Sequence, residues 1–201
     1  MSNQRPWLSH YPDGVPEEID INQYPSVVAV LDEAFEHYRQ RVAFTNFGKA
    51  LTYGEIDKLS AQFAAYLTGE LKLNKGDRIA IMMPNVLQYP IALFGALRAG
   101  MVVVNTNPLY TARELKHQLT DSGAQAIVVL DNFAATLQQV AAETGVKHII
   151  TTGTGDLLGL KGVLINAVVK HVKKMVPPYQ LPHAVRFREA LNRGKNYPMP
   201  K

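Results

Sequence analysis

Residues 78–83, Arg78-Ile79-Ala80-Ile81-Met82-Met83, form a run that is apolar after its first member and is closed by Pro84-Asn85. A short run without polar alternation is read as a strand buried on both faces. The pattern then repeats. A helical stretch reaches Ala99 and stops at Gly100, and Met101-Val102-Val103-Val104 makes a second strand. Thr111-Ala112-Arg113-Glu114 has the form of a capping box, with Tyr110 and Leu115 as its hydrophobic staple, and that helix stops at Ser122-Gly123. Ala126-Ile127-Val128-Val129-Leu130 is a third strand and Lys147-His148-Ile149-Ile150-Thr151 a fourth. Between them Phe133, Leu137 and Val140 mark one face of a helix expected to run to Gly145. Pro90 falls inside the first of these helices and must kink it or mark its true start. Buried strands alternating with amphipathic helices predict an α/β fold over 78–151: a doubly wound parallel sheet with helices on both faces.

Upstream, Thr52-Tyr53-Gly54-Glu55 is another capping box, stapled by Leu51 and Ile56, with Ile56, Leu59, Phe63 and Leu67 on one helical face. Val42-Ala43-Phe44-Thr45 and Ala50-Leu51-Thr52, flanking Gly48-Lys49, predict a short hairpin. Ser26 is placed to cap a helix reaching about Tyr38. Residues 1–25 carry Pro12, Pro16 and Pro25 and read as an irregular arm anchored by Trp7, Leu8 and Tyr11. Three segments result: the arm (1–25), a sheet subdomain (26–156), and a basic amphipathic helix with a connector (157–201).

The 201 residues are 47% hydrophobic and 19% charged, which suits one packed α/β domain rather than a disordered chain. Cysteine is absent, so disulfide frameworks and thiolate metal sites are excluded. No run approaches the roughly 18 apolar residues of a spanning helix. The opening residues lack a basic start followed by an apolar run, so no secretory signal and a cytoplasmic location are expected. The net charge of +4 is uneven: from Leu160 onward there are nine Lys or Arg against Glu189 alone. The basic character is local, which points to a local anionic partner and not to nucleic acid.

Residues 162–176 hold three of those nine cations, Lys170, Lys173 and Lys174. On a helical wheel Asn166, Lys170, His171, Lys173 and Lys174 share one side; Leu164, Ile165, Val168, Val169, Val172, Met175 and Val176 share the other. Such a helix is about 20 Å long, too short to span a bilayer. It suits either a helix lying in an anionic membrane interface through Lys170, Lys173 and Lys174, or a helix packed on the sheet with a solvated basic face.

Few residues elsewhere carry a chemical signature. Asn105, Thr106 and Asn107 follow the C-terminal end of a parallel strand, where open α/β sheets bind ligands, and are candidate substrate-binding residues. Thr151-Thr152-Gly153-Thr154-Gly155 has the look of a phosphate-cradling loop, but Gly155 and Gly159 are too close and Leu160 precedes Lys161, which fails the Walker spacing. The six histidines have no metal-ligand spacing, and no catalytic or metal residue is identified.

The wording of several segments is more specific than their pattern. Leu51-Thr52-Tyr53-Gly54-Glu55-Ile56 resembles the first core motif of adenylate-forming enzymes, and residues 76–85 resemble the strand after it. Residues 95–115, from Gly95-Ala96-Leu97-Arg98-Ala99-Gly100 through Asn105-Thr106-Asn107-Pro108-Leu109-Tyr110-Thr111, resemble the second core motif in its acyl-CoA synthetase form. Pro6-Trp7-Leu8, Tyr11-Pro12, Gly14-Val15-Pro16 and Gly155-Asp156-Leu157-Leu158-Gly159 resemble bacterial long-chain fatty-acid–CoA ligases. The resemblance covers essentially the whole chain. It implies part of a large N-terminal domain, and a reaction in which a fatty acid and ATP, with Mg²⁺, give an acyl-adenylate that coenzyme A converts to acyl-CoA. It also implies that the catalytic residues lie in a missing C-terminal part, beyond Lys201. On this basis no catalytic or cofactor-binding residue is carried over, the chain alone is expected to be inactive, and a homodimer is a possible assembly. The alternatives are a stand-alone peripheral membrane or partner-binding module, and another adenylate-forming enzyme such as a medium-chain ligase or an adenylation domain.

Overall fold

The computed structural model describes residues 5–200. A 3₁₀ turn at Pro6–His10 opens an arm with no further regular structure before helix α1 (Val27–His37). Of the expected anchors, Trp7 is 54% exposed and Tyr11 also faces solvent, whereas Leu8 is half-buried. Helix α1 begins where expected, with the Ser26 hydroxyl accepting from the Ala29 amide at 3.2 Å.

Strands β1 (Val42–Asn46) and β2 (Lys49–Thr52) form an antiparallel hairpin of their own. Phe47 and Gly48 join them, both with positive φ (48° and 76°). That is the left-handed geometry a two-residue hairpin turn needs to match strand twist. Thr52 then caps helix α2 (Tyr53–Ala65). The Glu55 amide donates to the Thr52 hydroxyl at 3.2 Å, and the Thr52 amide donates to the Glu55 carboxylate at 2.8 Å. Both staple residues, Leu51 and Ile56, are buried. A π turn, Tyr66–Glu70, continues the helix.

The main sheet has five strands, all parallel, in the order β4-β3-β5-β6-β7: β3 (Arg78–Met82), β4 (Val102–Asn105), β5 (Ala126–Leu130), β6 (His148–Thr152) and β7 (Val185–Arg186). Alternate residues supply the two faces. Ile79, Ile81, Val128 and Ile150 face α2, α3 (Gln88–Arg98) and α7 (Phe187–Gly194), packing with Phe63, Ile91, Ala96, Phe187 and Leu191. Ala80, Met82, Ile127 and Val129 face α4 (Ala112–Ser122) and α5 (Ala134–Gln138), packing with Leu115, Leu119, Ala134 and Leu137. Each fully buried Leu, Ile or Phe in these layers contributes roughly 1.5–3 kcal/mol. Period two with both faces covered explains why the strands carry no polar alternation.

Pro90 marks the start of α3. It is the third helical residue, where its missing N–H removes no intrahelical bond. Helices α2 and α3 touch at Gly95, where a Cβ would lie 2.8 Å from the Ser60 carbonyl oxygen. Arg98 crosses the same contact, donating to the Asp57 carbonyl and the Ser60 hydroxyl, both at 2.8 Å.

Three expectations need correction. The helix over Phe133, Leu137 and Val140 is broken: five α-helical residues lie between 3₁₀ turns at Asp131–Phe133 and Ala141–Glu143. The tightened bonds, such as the Val140 amide to the Leu137 carbonyl, keep Ala134, Leu137 and Val140 on the sheet. The second concerns the basic segment. Helix α6 spans Leu160–Ala167 and passes into a π turn, Val168–Val172; Lys174 already has φ of 51°. Asn166 is not on the solvent side with the lysines but turns inward, as described below. Third, the final stretch is more than a connector, because β7 joins the sheet and α7 buries Phe187, Ala190 and Leu191 in the core.

Candidate functional site

Strand order β4-β3-β5-β6-β7 places the second and third strands of the sheet on opposite sides of the first. The crossover direction therefore reverses between β3 and β5. Ligands of open parallel sheets sit outside the carboxyl ends of strands at such a point. Here that edge carries two recesses.

The first lies past β3 and β4. Asn105, Thr106 and Asn107 line a cavity of about 250 Å³ with Met83, Asn85 and Tyr89. The Tyr89 hydroxyl donates to the Asn105 carboxamide oxygen at 3.0 Å. Thr106 is buried; its amide donates to the Ile81 carbonyl and its hydroxyl to the Val104 carbonyl. Asn107 accepts from the Leu109 amide at 3.0 Å, an Asx turn. The structure thus brings the three candidates together, with Thr106 and Asn107 engaged in shaping the loop and Asn105 presented beside a phenol. A more apolar recess of about 350 Å³ adjoins it, sharing Asn85 and Tyr89 and adding Phe44, Leu87 and Pro90.

The second recess, about 650 Å³, lies past β5, β6 and β7. Its wall is an ion pair that local sequence does not announce. Asp131 accepts from Arg186 through both carboxylate oxygens, at 2.7 and 3.0 Å, and from the Tyr179 hydroxyl at 3.0 Å. Arg186 also donates to Asp156 at 3.0 Å and to the Thr151 hydroxyl at 3.1 Å. Burial works against the charged guanidinium. The hydrogen bonds and charge of Asp131, with Asp156, outweigh it and raise the Arg186 pKa above its ordinary value. The Tyr179 phenol is pushed up by burial first and by the Asp131 charge second.

The turn after β6 belongs to this network. The Gly153 amide donates to Asp156 at 2.8 Å, and the Gly155 amide to the Asn166 carboxamide oxygen at 2.7 Å. The Asn166 amide group donates back to Asp156 at 2.9 Å. These amides are consumed, so the Thr- and Gly-rich turn is not arranged to cradle a phosphate. Lys161 reaches the Phe47 carbonyl, away from the turn. Gln88, buried at the start of α3, ties the turn to the first recess by donating to Thr152 and to the Gly153 carbonyl.

Lys170, Lys173 and Lys174 are exposed, and none has an ion-pair partner among the described residues. Apolar side chains are exposed with them: Leu160 at 93%, and Val163, Leu164, Val172 and Met175. Among the described residues no helix is long and apolar enough to cross a membrane, and no three His, Asp or Glu converge as a metal site.

The chain matches the AMP-binding enzyme family over residues 31–184. It is 54% identical over 190 residues to a long-chain-fatty-acid–CoA ligase of Haemophilus influenzae, covering 94% of this chain and 34% of that protein. The corresponding ligase of Escherichia coli O157:H7 is 53% identical over 189 residues, with the same coverage. The chain therefore spans about a third of the length of the curated relatives it matches. Among solved structures, a benzoate CoA ligase from Burkholderia xenovorans LB400 superposes with a TM-score of 0.65 at 24% identity, over 87% of this chain and 29% of that one. That likeness bears on the fold.

Proposed function

The chain belongs to the AMP-binding enzyme family, and on that premise we propose that it is the N-terminal third of an ATP-dependent long-chain fatty-acid–CoA ligase. The observation that carries the reading is identity of more than half across 94% of the chain. The overall reaction joins a fatty acid to coenzyme A with conversion of ATP to AMP and pyrophosphate, and Mg²⁺ accompanies the nucleotide. This reading assigns the metal and the nucleotide to the remainder of the protein, as the family resemblance implies. In this reading the parallel sheet is the scaffold, and the edge at Asn105, Thr106, Asn107 and Tyr89 forms one wall of a substrate site. Asn105 and Tyr89 present hydrogen-bonding groups there, while Thr106 and Asn107 fix the loop that carries Asn105.

The test joins residues 1–201 in frame to the C-terminal two thirds of the E. coli relative. ATP-dependent palmitoyl-CoA formation is expected from the chimera and none from residues 1–201 alone. A soluble, folded chimera without activity would overturn the assignment; activity of the short chain would overturn its expected inactivity.

A second reading concerns the place of work. Exposed Lys170, Lys173 and Lys174 beside exposed Leu160, Val163 and Leu164 favour peripheral docking of this segment on an anionic membrane. Each lysine near such a surface contributes roughly 1 kcal/mol. Sedimentation with anionic liposomes is expected to be salt-sensitive and lost in the K170E/K173E/K174E variant; equal binding by the variant would refute the reading.

A further inference from the structure

The turn between β1 and β2 carries a residue that its geometry disfavours. Phe47 has a φ of 48°, in the left-handed region where glycine, asparagine and aspartate are favoured and a bulky ring is an outlier. Burial does not offset this, since Phe47 is 54% exposed. A strained backbone that persists without such a packing gain points to a task at the surface.

The turn is fixed against the start of α6. Lys161 Nζ donates to the Phe47 carbonyl at 3.1 Å, and a Cβ on Gly48 would lie 3.9 Å from the same nitrogen. Phe47 therefore stands beside the first turn of α6, where Leu160 is 93% exposed and Val163 and Leu164 66% each. Two elements more than a hundred positions apart thus present exposed apolar side chains in one neighbourhood. Lys49 and Lys161 are exposed there too, and neither has an ion-pair partner among the described residues. Exposed apolar groups rimmed by unpaired cations match an anionic bilayer, which offers phosphate at its surface and hydrocarbon beneath. A free phosphate or a nucleic acid would leave Phe47 and Leu160 without a partner.

We propose that the β1–β2 turn is a second membrane anchor: Phe47 enters an anionic bilayer beside Leu160, Val163 and Leu164 while Lys49 and Lys161 meet the headgroups. The proposal rests on peripheral docking of residues 160–176 and adds to it a contact from outside that segment. The apolar end of α6 is then held at the hairpin, roughly 20 Å from the basic end at Lys170, Lys173 and Lys174.

The test uses Trp7→Phe/Phe47→Trp, in which the turn carries the sole tryptophan. Trp7→Phe/Ala142→Trp, labelled on the exposed turn that leads into the opposite, amino-terminal edge of the sheet, is the control. The vesicles are phosphatidylcholine and phosphatidylglycerol with brominated acyl chains. The turn tryptophan is expected to be quenched and the control tryptophan to be unchanged. Phe47→Asn relieves the backbone and removes the ring, so it is expected to unfold at higher urea yet bind these vesicles about tenfold more weakly. If the parent chain does not bind the vesicles, docking of residues 160–176 fails and the proposal with it. If the parent binds while the turn tryptophan stays unquenched, while the control is quenched equally, or while Phe47→Asn binds as tightly, the proposal alone fails. Quenching in the 201-residue chain that disappears in the chimera with the E. coli relative also overturns it, because the rest of the ligase would then cover the turn.

Discussion

Gly155 and Gly162 are pressed together backbone to backbone. A Cβ on Gly155 would lie 2.2 Å from the Gly162 carbonyl oxygen, and a Cβ on Gly162 1.8 Å from the Gly155 carbonyl oxygen. This contact seats α6 on the turn after β6, beside the Asn166 bonds that lock it. Alanine at a helical glycine ordinarily stabilises by about 0.5–1 kcal/mol. Gly162→Ala is expected to reverse that sign and destabilise by about 1–3 kcal/mol, because both clashing atoms are backbone. Urea unfolding of Gly162→Ala against the parent measures it.

The Asp131–Arg186 pair is expected to matter more than a surface pair. Side-chain exposures are 17% for Asp131 and 41% for Arg186, and both carboxylate oxygens are engaged. Asp131→Ala leaves the guanidinium and the Tyr179 hydroxyl without their shared acceptor, and a loss of about 1–3 kcal/mol follows. Lys116→Ala, which breaks the exposed pair with Glu143, is expected to cost less than about 0.5 kcal/mol. Equal losses in chemical denaturation would refute the ranking.

Both capping boxes are open to direct measurement. Thr52→Ala and Thr111→Ala remove the hydroxyl that accepts from the Glu55 and Glu114 amides, and each is expected to cost about 1 kcal/mol. The Glu114 carboxyl is held below its ordinary pKa, first by the Thr111 amide and then by the Thr111 hydroxyl. Its contribution is therefore present above the ordinary carboxylate range and fades as pH falls through it. Thermal unfolding of Thr111→Ala at neutral and at acid pH is expected to show the difference from the parent narrowing on the acid side.

Alkaline pH gives an independent test of the core. Tyr66 is fully buried between α2 and α7, and burial, then the charge of Glu70, pushes its phenol to about 12. Below the ordinary tyrosine value of about 10 the folded and unfolded chains both keep the proton, so stability is unaffected. Between about 10 and 12 the unfolded chain loses it first, and stability falls by on the order of 1 kcal/mol per pH unit. Tyr66→Phe is expected to flatten that fall, leaving the part owed to Tyr179, whose phenol is also raised. The urea midpoint from pH 9 to 12 reads this directly.

The core was legible because local pattern and tertiary role coincide in it. Ile79 to Met82 and Ala126 to Leu130 are buried on both faces, so they are apolar without interruption. Thr52 and Thr111 cap through residues only three positions away, a distance a short window sees. The C-terminal edge was reachable for Asn105, Thr106 and Asn107 because they directly follow a strand. Asp131 and Arg186 lie 55 positions apart, and nothing in either neighbourhood signals the other. Strand β7, two residues long, is too short to show a period. The wheel over 162–176 misplaced Asn166 because its orientation follows from contacts with Gly155 and Asp156. Beyond Ala167 the π turn adds a residue, which rotates the following side chains by about 100° from an ideal helix.

The length of the path into β7 has a consequence in time. β3, β4, β5 and β6 are each joined by a single compact crossover, whereas Val185 meets Ile150 only after residues 153–184 have been threaded through α6 and the prolines beyond it. Longer closures cost more entropy and slow the contacts that depend on them. The four central strands are therefore the part of the sheet that assembles early, and β7 is the seam that closes last and opens first. Amide protons of Val185 and Arg186 should exchange with solvent well before those of Ile127 and Val128.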